Sequence, residues 1–265
     1  MASRSTAHAA VLSGLTLVLA FLGPSGCASE GNEAEDVSEA DIRSGVVANG
    51  DAREVGLFLF PLRDGGEGRC TATLIGPRTA ITAAHCVLPS SGPGPCTSGS
   101  VYLDTTGTGS ALATRLKVGV RACATPLVNV GSTSARAQDI AVLALDRRVT
   151  ELSTFASIAS AVPTGKATLF GYGRVGASCT ETNPHQKYKV IVALSSNTSP
   201  TCKGDSGGPY FVGDGASFTH SVFALVSGET TNGGTRVSAD LVGNRAFIEG
   251  RRAESEAGRP LSNAR

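Results

Sequence analysis

The sequence contains no tryptophan, and charged residues make up only 17% of its 265 positions. Lys plus Arg total 23 against 22 Asp plus Glu, a formal net charge of +1. So even a balance gives no electrostatic case for binding nucleic acid or an acidic surface. No Cys-x-x-Cys spacing occurs, which argues against a zinc ribbon or a thioredoxin-type redox motif. No segment repeats at a fixed period, which excludes a repeat array. The apolar stretch from Ala9 to Gly23 is shorter than the roughly 20 residues a membrane-spanning helix needs. What is plentiful is glycine, 33 residues, with 12 prolines. That mixture suits many short strands and turns better than a helical bundle. The seven cysteines are too many for a reducing compartment without metal-type spacing, so disulfides with one cysteine left over are expected. The length is about two domains' worth and buries a sizeable core.

Arg4 before the stretch Ala9–Gly23 reads as a signal peptide. The following Pro24-Ser25-Gly26-Cys27 resembles the bacterial lipobox, with Pro24 where Leu is usual. Residues 1–26 are then a signal peptide and Cys27 a lipidated N-terminus that attaches the chain to a membrane. The alternative is a secretory cut after Ala28. Either route predicts a secreted or cell-envelope protein. Residues 28–41 hold six acids and one sizeable apolar side chain, Val37. Residues 27–43 are therefore read as an acidic tether or propeptide. Residues 251–265 read as a disordered tail.

The body consists of short β-rich runs bounded by turn residues. Clear examples are Leu57–Leu62, Thr71–Ile75, Thr79–Ala83, Val101–Leu103, Ile140–Leu145, Ala167–Phe170, Val190–Leu194 and Val222–Val226. One late helix is expected from Ser238 through Leu241, Val242 and Ile248, with Ser238 as its N-cap. Many short strands without alternating helices predict an all-β antiparallel sandwich or barrel.

Four histidines occur: His8, His85, His185 and His220. His8 lies in the export segment, and His185 and His220 have unremarkable settings. His85 follows a strand, a Gly76-Pro77 turn and a second strand, in Thr82-Ala83-Ala84-His85-Cys86. A disulfide from Cys70 to Cys86 would pin it to the end of that rigid hairpin and contribute about 3 kcal/mol. Asp139 precedes the apolar run Ile140–Leu145, which puts its carboxylate at the mouth of a buried strand. There it could accept a hydrogen bond from a histidine ring N–H and fix the tautomer, although the fragment alone is equally a strand-start cap. Gly204-Asp205-Ser206-Gly207-Gly208-Pro209 carries glycines on both sides of a serine. Their backbone freedom exposes the Ser206 hydroxyl and lets the N–H groups of Gly204 and Ser206 converge where an oxyanion forms.

Together these three blocks resemble the chymotrypsin/trypsin-like serine proteases. Cys70–Cys86 matches that family's histidine block, Asp139–Leu145 its aspartate block and Gly204–Pro209 its serine block, in the same chain order. Weaker matches are Gly171-Tyr172-Gly173, Leu225–Gly228 and Thr235-Arg236-Val237, so coverage runs from about residue 44 to 250. The serine block also satisfies Gly-x-Ser-x-Gly, the nucleophile elbow of α/β-hydrolases. That fold needs an acid and then a histidine after the serine. Only His220 follows, with Asp214 just before it, and strand–helix alternation is missing.

The resemblance implies two six-stranded antiparallel barrels, over residues 44–155 and 156–250, with a cleft between them and a short C-terminal helix. It implies a serine endopeptidase with His85, Asp139 and Ser206 as the triad and Gly204 and Ser206 as oxyanion donors. No metal or cofactor is expected. The partners are a protein or peptide substrate and no nucleic acid, and the chain is expected to be a monomer. Ser227, Gly228 and Glu229 match the strand that pairs with the substrate backbone. Pro200 matches the base of the first specificity pocket, where trypsin-like members carry an acid, so cleavage after Arg or Lys is not expected. Asp205 matches the acid that receives a new N-terminal amine after activation, here by a cut between Arg43 and Val46. Cys70–Cys86 follows from the histidine block. Cys96–Cys123 and Cys179–Cys202 are the pairings chosen for the rest, and Cys202 lacks the usual family partner downstream of Ser227. The alternative function is a non-catalytic homologue that binds partners through the same fold.

Overall fold

The computed structural model describes residues 45–62, 64–88, 96, 98–107, 111–126, 137–176, 179–180, 185–196, 200–229 and 236–262. The signal peptide, Cys27 and the acidic tether lie outside the described residues. Six strands close into a barrel: β2 (Val55–Pro61), β3 (Glu67–Gly76), β4 (Thr79–Thr82), β5 (Ser100–Leu103), β6 (Leu116–Ala124) and β7 (Ala141–Leu145). Their order around it is β2-β3-β4-β7-β6-β5, every pair antiparallel.

The second lobe is a seven-stranded sheet. Two-residue β1 (Val46–Val47) edges it, followed by β10 (Tyr188–Ala193), β9 (Lys166–Gly171), β11 (Pro209–Val212), β12 (Ser221–Glu229) and β13 (Arg236–Asp240). The short β8 (Ser157–Ile158) adds to β12 in parallel. The path as described does not close on itself. β1, which precedes the first barrel in sequence, pairs with the second sheet and ties the two lobes together.

Why β2 reads as a continuous apolar run, Val55-Gly-Leu-Phe-Leu-Phe, follows from where its two faces point. Leu57 and Leu59 pack in a core that also contains Phe170, Tyr172, Phe211 and Leu225 of the second lobe. Phe58 faces the other way, into the barrel interior with Leu74, Val101 and Leu143. Both faces are dry, so no polar alternation is needed. β7 is buried at all five positions for the same reason. By contrast β6 exposes Lys117 and Arg121 and contains Gly119, which weakens its apolar signal. That glycine makes room for Asp146, whose Oδ2 would lie 2.4 Å from a Cβ there. The sequence reading accordingly does not mark β6.

The helix differs from expectation. Ser238 lies within β13, paired with Val226, and caps nothing. The helix α1 runs from Arg245 to Glu256, and so continues into the stretch read as a tail. Its last turn is polar in sequence yet docked. Ser255 is fully buried and donates to the Arg78 carbonyl, while Glu256 accepts from Arg78 N–H at 2.9 Å and from the Thr79 hydroxyl at 2.8 Å. Those partners are 177 and 178 residues away in the chain, beyond what local pattern encodes. No helix among the described residues is long and apolar enough to cross a membrane.

Candidate active site

His85 sits on a single turn of 3-10 helix, Ala84–Cys86, directly after β4. Asp139 stands two residues before β7, the strand that pairs with β4, so the barrel ladder itself brings the two together. Asp139 is 4% exposed and accepts three hydrogen bonds. The His85 ring, through Nδ1, lies 2.7 Å from Oδ2, and the His85 backbone N–H donates to Oδ1 at 2.9 Å. The Ser227 hydroxyl, at the inner part of β12, donates to Oδ2 at 2.7 Å. Burial opposes ionisation of Asp139, but the bonds from His85, its charge and the Ser227 bond outweigh it and hold the carboxyl below its ordinary value. A carboxylate so placed favours the tautomer of His85 that carries its hydrogen on Nδ1.

The loop Gly204–Pro209 is bound to the barrel through one threonine. Thr71 N–H donates to the Ser206 carbonyl at 2.8 Å, and the Thr71 hydroxyl donates to the Gly204 carbonyl at 3.1 Å while accepting from Tyr172 N–H at 3.1 Å. Gly207 has φ +81°, and a Cβ there would meet the Thr82 hydroxyl at 2.2 Å and the Thr71 carbonyl at 2.3 Å. Only glycine fits. The amides of Asp205, Gly207 and Gly208 are used within the fold, on Cys202, Val226 and Asp205 carbonyls respectively. For those of Gly204 and Ser206 no acceptor is found among the described residues, and they flank Asp205 beside a half-buried serine hydroxyl. Asp205 is fully buried; its carboxylate accepts from Gly173 N–H at 2.7 Å and Cys202 N–H at 2.8 Å. A Cβ on Gly173 would fall within 2.4–2.5 Å of that carboxyl group, so the Gly171-Tyr172-Gly173 match is a cradle for Asp205.

His85, Gly204 and Ser206 line one cleft of about 490 Å³. The structure joins Cys70 to Cys86, Cys96 to Cys123 and Cys179 to Cys202, with Cα–Cα separations of 6.4, 5.9 and 5.5 Å. Cys70, His85 and Cys86 cluster closely, but both sulfurs are consumed by their bond and leave no thiolates for a metal. Pro200 is buried two residues before Cys202. Gly228 and Glu229 extend β12, pairing with Val237 and Arg236. Val46 is 60% exposed and paired with Lys189, so the described chain does not bring it to Asp205. His220 sits away from the cleft, its Nδ1 2.5 Å from the buried carboxylate of Glu54. Sequence reasoning missed Thr71 and three cations of the cleft wall, Arg69, Arg174 and Lys203. Each adjoins a marked block: Arg69 and Thr71 flank Cys70, Arg174 follows Gly173, and Lys203 precedes Gly204.

A closed β-barrel and a second sheet share one core, and His85, bonded to Asp139, lines one cleft with Ser206; the architecture is that of a trypsin-like fold. A family model described as "Trypsin" matches residues 49–241, and the chain belongs to the trypsin family. Among solved structures it is similar to the protease Anisep from Arthrobacter nicotinovorans, with 17% identity and a TM-score of 0.58 over 77% of this chain and 97% of that one. It is also similar to mouse neuropsin, a serine protease, with 18% identity and a TM-score of 0.56 over 77% and 96%. A thermostable serine protease from an extremophilic microorganism, AL20, gives 18% identity and 0.57 over 76% and 97%. No curated protein sequence matches the chain. The family supports a serine protease hydrolase acting on proteins or peptides, and disulfides with a trypsin-like domain are typical of extracellular proteases.

Proposed function

We propose that the chain is a serine endopeptidase in which Ser206 is the nucleophile, His85 its general base and Asp139 the positioning carboxylate. The observation that carries this is the buried Asp139 carboxylate, which holds through two bonds the His85 that lines one cleft with Ser206, and is itself held by Ser227 through a third. The Ser206 oxygen attacks the scissile carbonyl while its proton passes to His85 Nε2; Asp139 stays ionised and stabilises the imidazolium. The developing oxyanion lies against the N–H groups of Gly204 and Ser206. His85 returns the proton to the leaving amine, and water then hydrolyses the ester on Ser206 by the same steps.

Ser227, Gly228 and Glu229 are read as the edge that pairs with the acyl side of the substrate by strand addition. Pro200, apolar and buried, disfavours Arg or Lys before the scissile bond. Activation is read as a cut between Arg43 and Val46 that frees an amine for Asp205, and N-terminal sequencing of active enzyme that starts before Arg43 refutes it. Export with lipidation at Cys27 predicts that the exported proenzyme, before the cut between Arg43 and Val46, carries an acyl mass on its N-terminal peptide; an unmodified Cys27 there refutes it. The decisive experiment on the site is labelling by a fluorophosphonate probe. Wild type should label and Ser206→Ala should not; labelling retained in that variant removes Ser206 from the role.

A further inference from the structure

The wall of the cleft beside Ser206 is cationic, and none of the steps above uses that charge. Arg69, Arg174 and Lys203 line it with His85, Gly204 and Ser206. All three converge on Gly204. Arg69 immediately precedes Cys70 in β3 and lays its stem on that glycine, where a Cβ would sit 3.4 Å from Arg69 Cδ. Lys203 precedes Gly204 in sequence, and Arg174 N–H donates to the Lys203 carbonyl at 3.0 Å. Glu67 is the one acid among the described lining residues, so three cations face a single carboxylate and the wall keeps an excess of two positive charges. None of the three cations forms an ion pair with a described residue. Burial first, and then the repulsion of Arg174, holds the Arg69 guanidinium below its ordinary value, with Glu67 opposing. The Arg69 Nε is buried and donates to no described atom. The chain as a whole is nearly neutral at +1, so this density is local.

Which part of a substrate meets this wall follows from the cleft's borders. Ser227 of β12, assigned above to the acyl side, is not among the described residues that line it. Its other border is the β2–β3 hairpin, through Phe60 and Leu62, and the Cys70–Cys86 bond. The cleft is therefore read as the β2–β3 side of Ser206, away from Ser227. An extended peptide advances about 3.3 Å per residue, so side chains within reach of a cleft that also holds the nucleophile belong to the first two residues beyond the bond.

Resting on the assignment of Ser206 as nucleophile, we infer that Arg69, Arg174 and Lys203 select a carboxylate on the leaving-group side of the scissile bond, within the first two residues after it. A carboxylate there comes from an Asp or Glu side chain or from a free C-terminus, and guanidinium groups pair with either.

The test uses internally quenched peptides that share one acyl side and carry Asp, Gln or Lys at the first or second leaving-group position. A parallel pair ends at the second residue as carboxylate or carboxamide. Expected is a kcat/KM about five- to tenfold higher for Asp than for Lys at low ionic strength, narrowing at 0.5 M salt as exposed charges are screened. Arg69→Gln, Arg174→Gln and Lys203→Gln should each narrow that ratio within the same enzyme, and the triple variant should bring it close to one. A ratio near one in wild type, or one unchanged in the triple variant, overturns the inference. A preference confined to the terminal carboxylate keeps the cationic wall but assigns it to chain ends. Burst release from a nitrophenyl ester, which has no residue beyond the bond, separates the two levels. A burst with flat peptide ratios removes only this inference, whereas no burst removes the nucleophile assignment and this inference with it.

Discussion

Replacing Ser227 by Ala isolates one of the three bonds on Asp139, and its consequences can be worked out in sign and size. The deleted bond is the 2.7 Å donation from the Ser227 hydroxyl to Oδ2. Asp139 is 4% exposed and Ser227 7%, so water has little access to take its place. A hydrogen bond to a charged acceptor contributes about 1.5–3 kcal/mol. The carboxyl is held below its ordinary value in the fold, so its contribution to stability is complete above that ordinary value and disappears as pH falls through the folded one. Losing a donor moves the folded value back up. Ser227→Ala should therefore cost about 2 kcal/mol near neutral pH, and progressively less as pH falls through the lowered folded value. Denaturant unfolding from neutral to acid pH measures both limits, provided the slope with denaturant stays constant. The two His85 bonds remain, so kcat/KM should fall only about three- to tenfold, or roughly 0.6–1.4 kcal/mol. A loss that does not shrink from neutral to acid pH shows that the hydroxyl serves packing and not the carboxylate; no loss at neutral pH refutes the bond.

Thr71→Val keeps the shape but removes the hydroxyl that bonds the Gly204 carbonyl and accepts Tyr172 N–H. It should cost about 1–3 kcal/mol in unfolding and lower kcat more than it raises KM, since the oxyanion donors shift. Gly207→Ala forces a Cβ to 2.2 Å from the Thr82 hydroxyl at φ +81°, and should abolish fluorophosphonate labelling at a cost of at least about 2 kcal/mol in thermal or denaturant unfolding. Lys187 is 1% exposed, and desolvation holds its ammonium at about 8, while burial pushes the Tyr172 phenol up to about 12. The unfolded lysine keeps its proton to higher pH than the folded one, so stability should rise from about pH 8 to 10, by up to about 3 kcal/mol. It should then fall above pH 10, where only the unfolded tyrosine ionises. Unfolding midpoints across pH 7–12 show whether the peak exists, and Lys187→Met should remove the rise and leave the fall.

The parts of the molecule that were legible in advance are those whose cause lies within a few residues. His85 is placed by the β4 strand end before it and by Cys86 after it, and both stand in one continuous block with Cys70. The strand that carries Asp139 is buried on both faces, so its apolar run is unbroken and its start is visible. Glycine at 207 announces a position with no room for a side chain, although the Thr71 and Thr82 atoms that forbid one come from distant strands.

What escaped the sequence has causes of longer range. Glu256 looks solvated because its partners, Arg78 and Thr79, are on a turn brought over only when the barrel closes. Thr71 reads as an ordinary strand threonine until the Ser206 loop is laid against it, and then one residue carries both loop carbonyls. The same holds for the cleft wall. Arg69, Arg174 and Lys203 come from three separate blocks, and each alone is a surface cation of no consequence. Charge becomes chemistry only by convergence: near neutrality over the whole chain excludes a charge-driven partner, yet is compatible with a concentrated field at one site. The composition argument therefore bears on what the whole surface attracts, and the choice of substrate rests on the few residues that β3, the Gly171–Gly173 cradle and the Ser206 loop bring to Gly204.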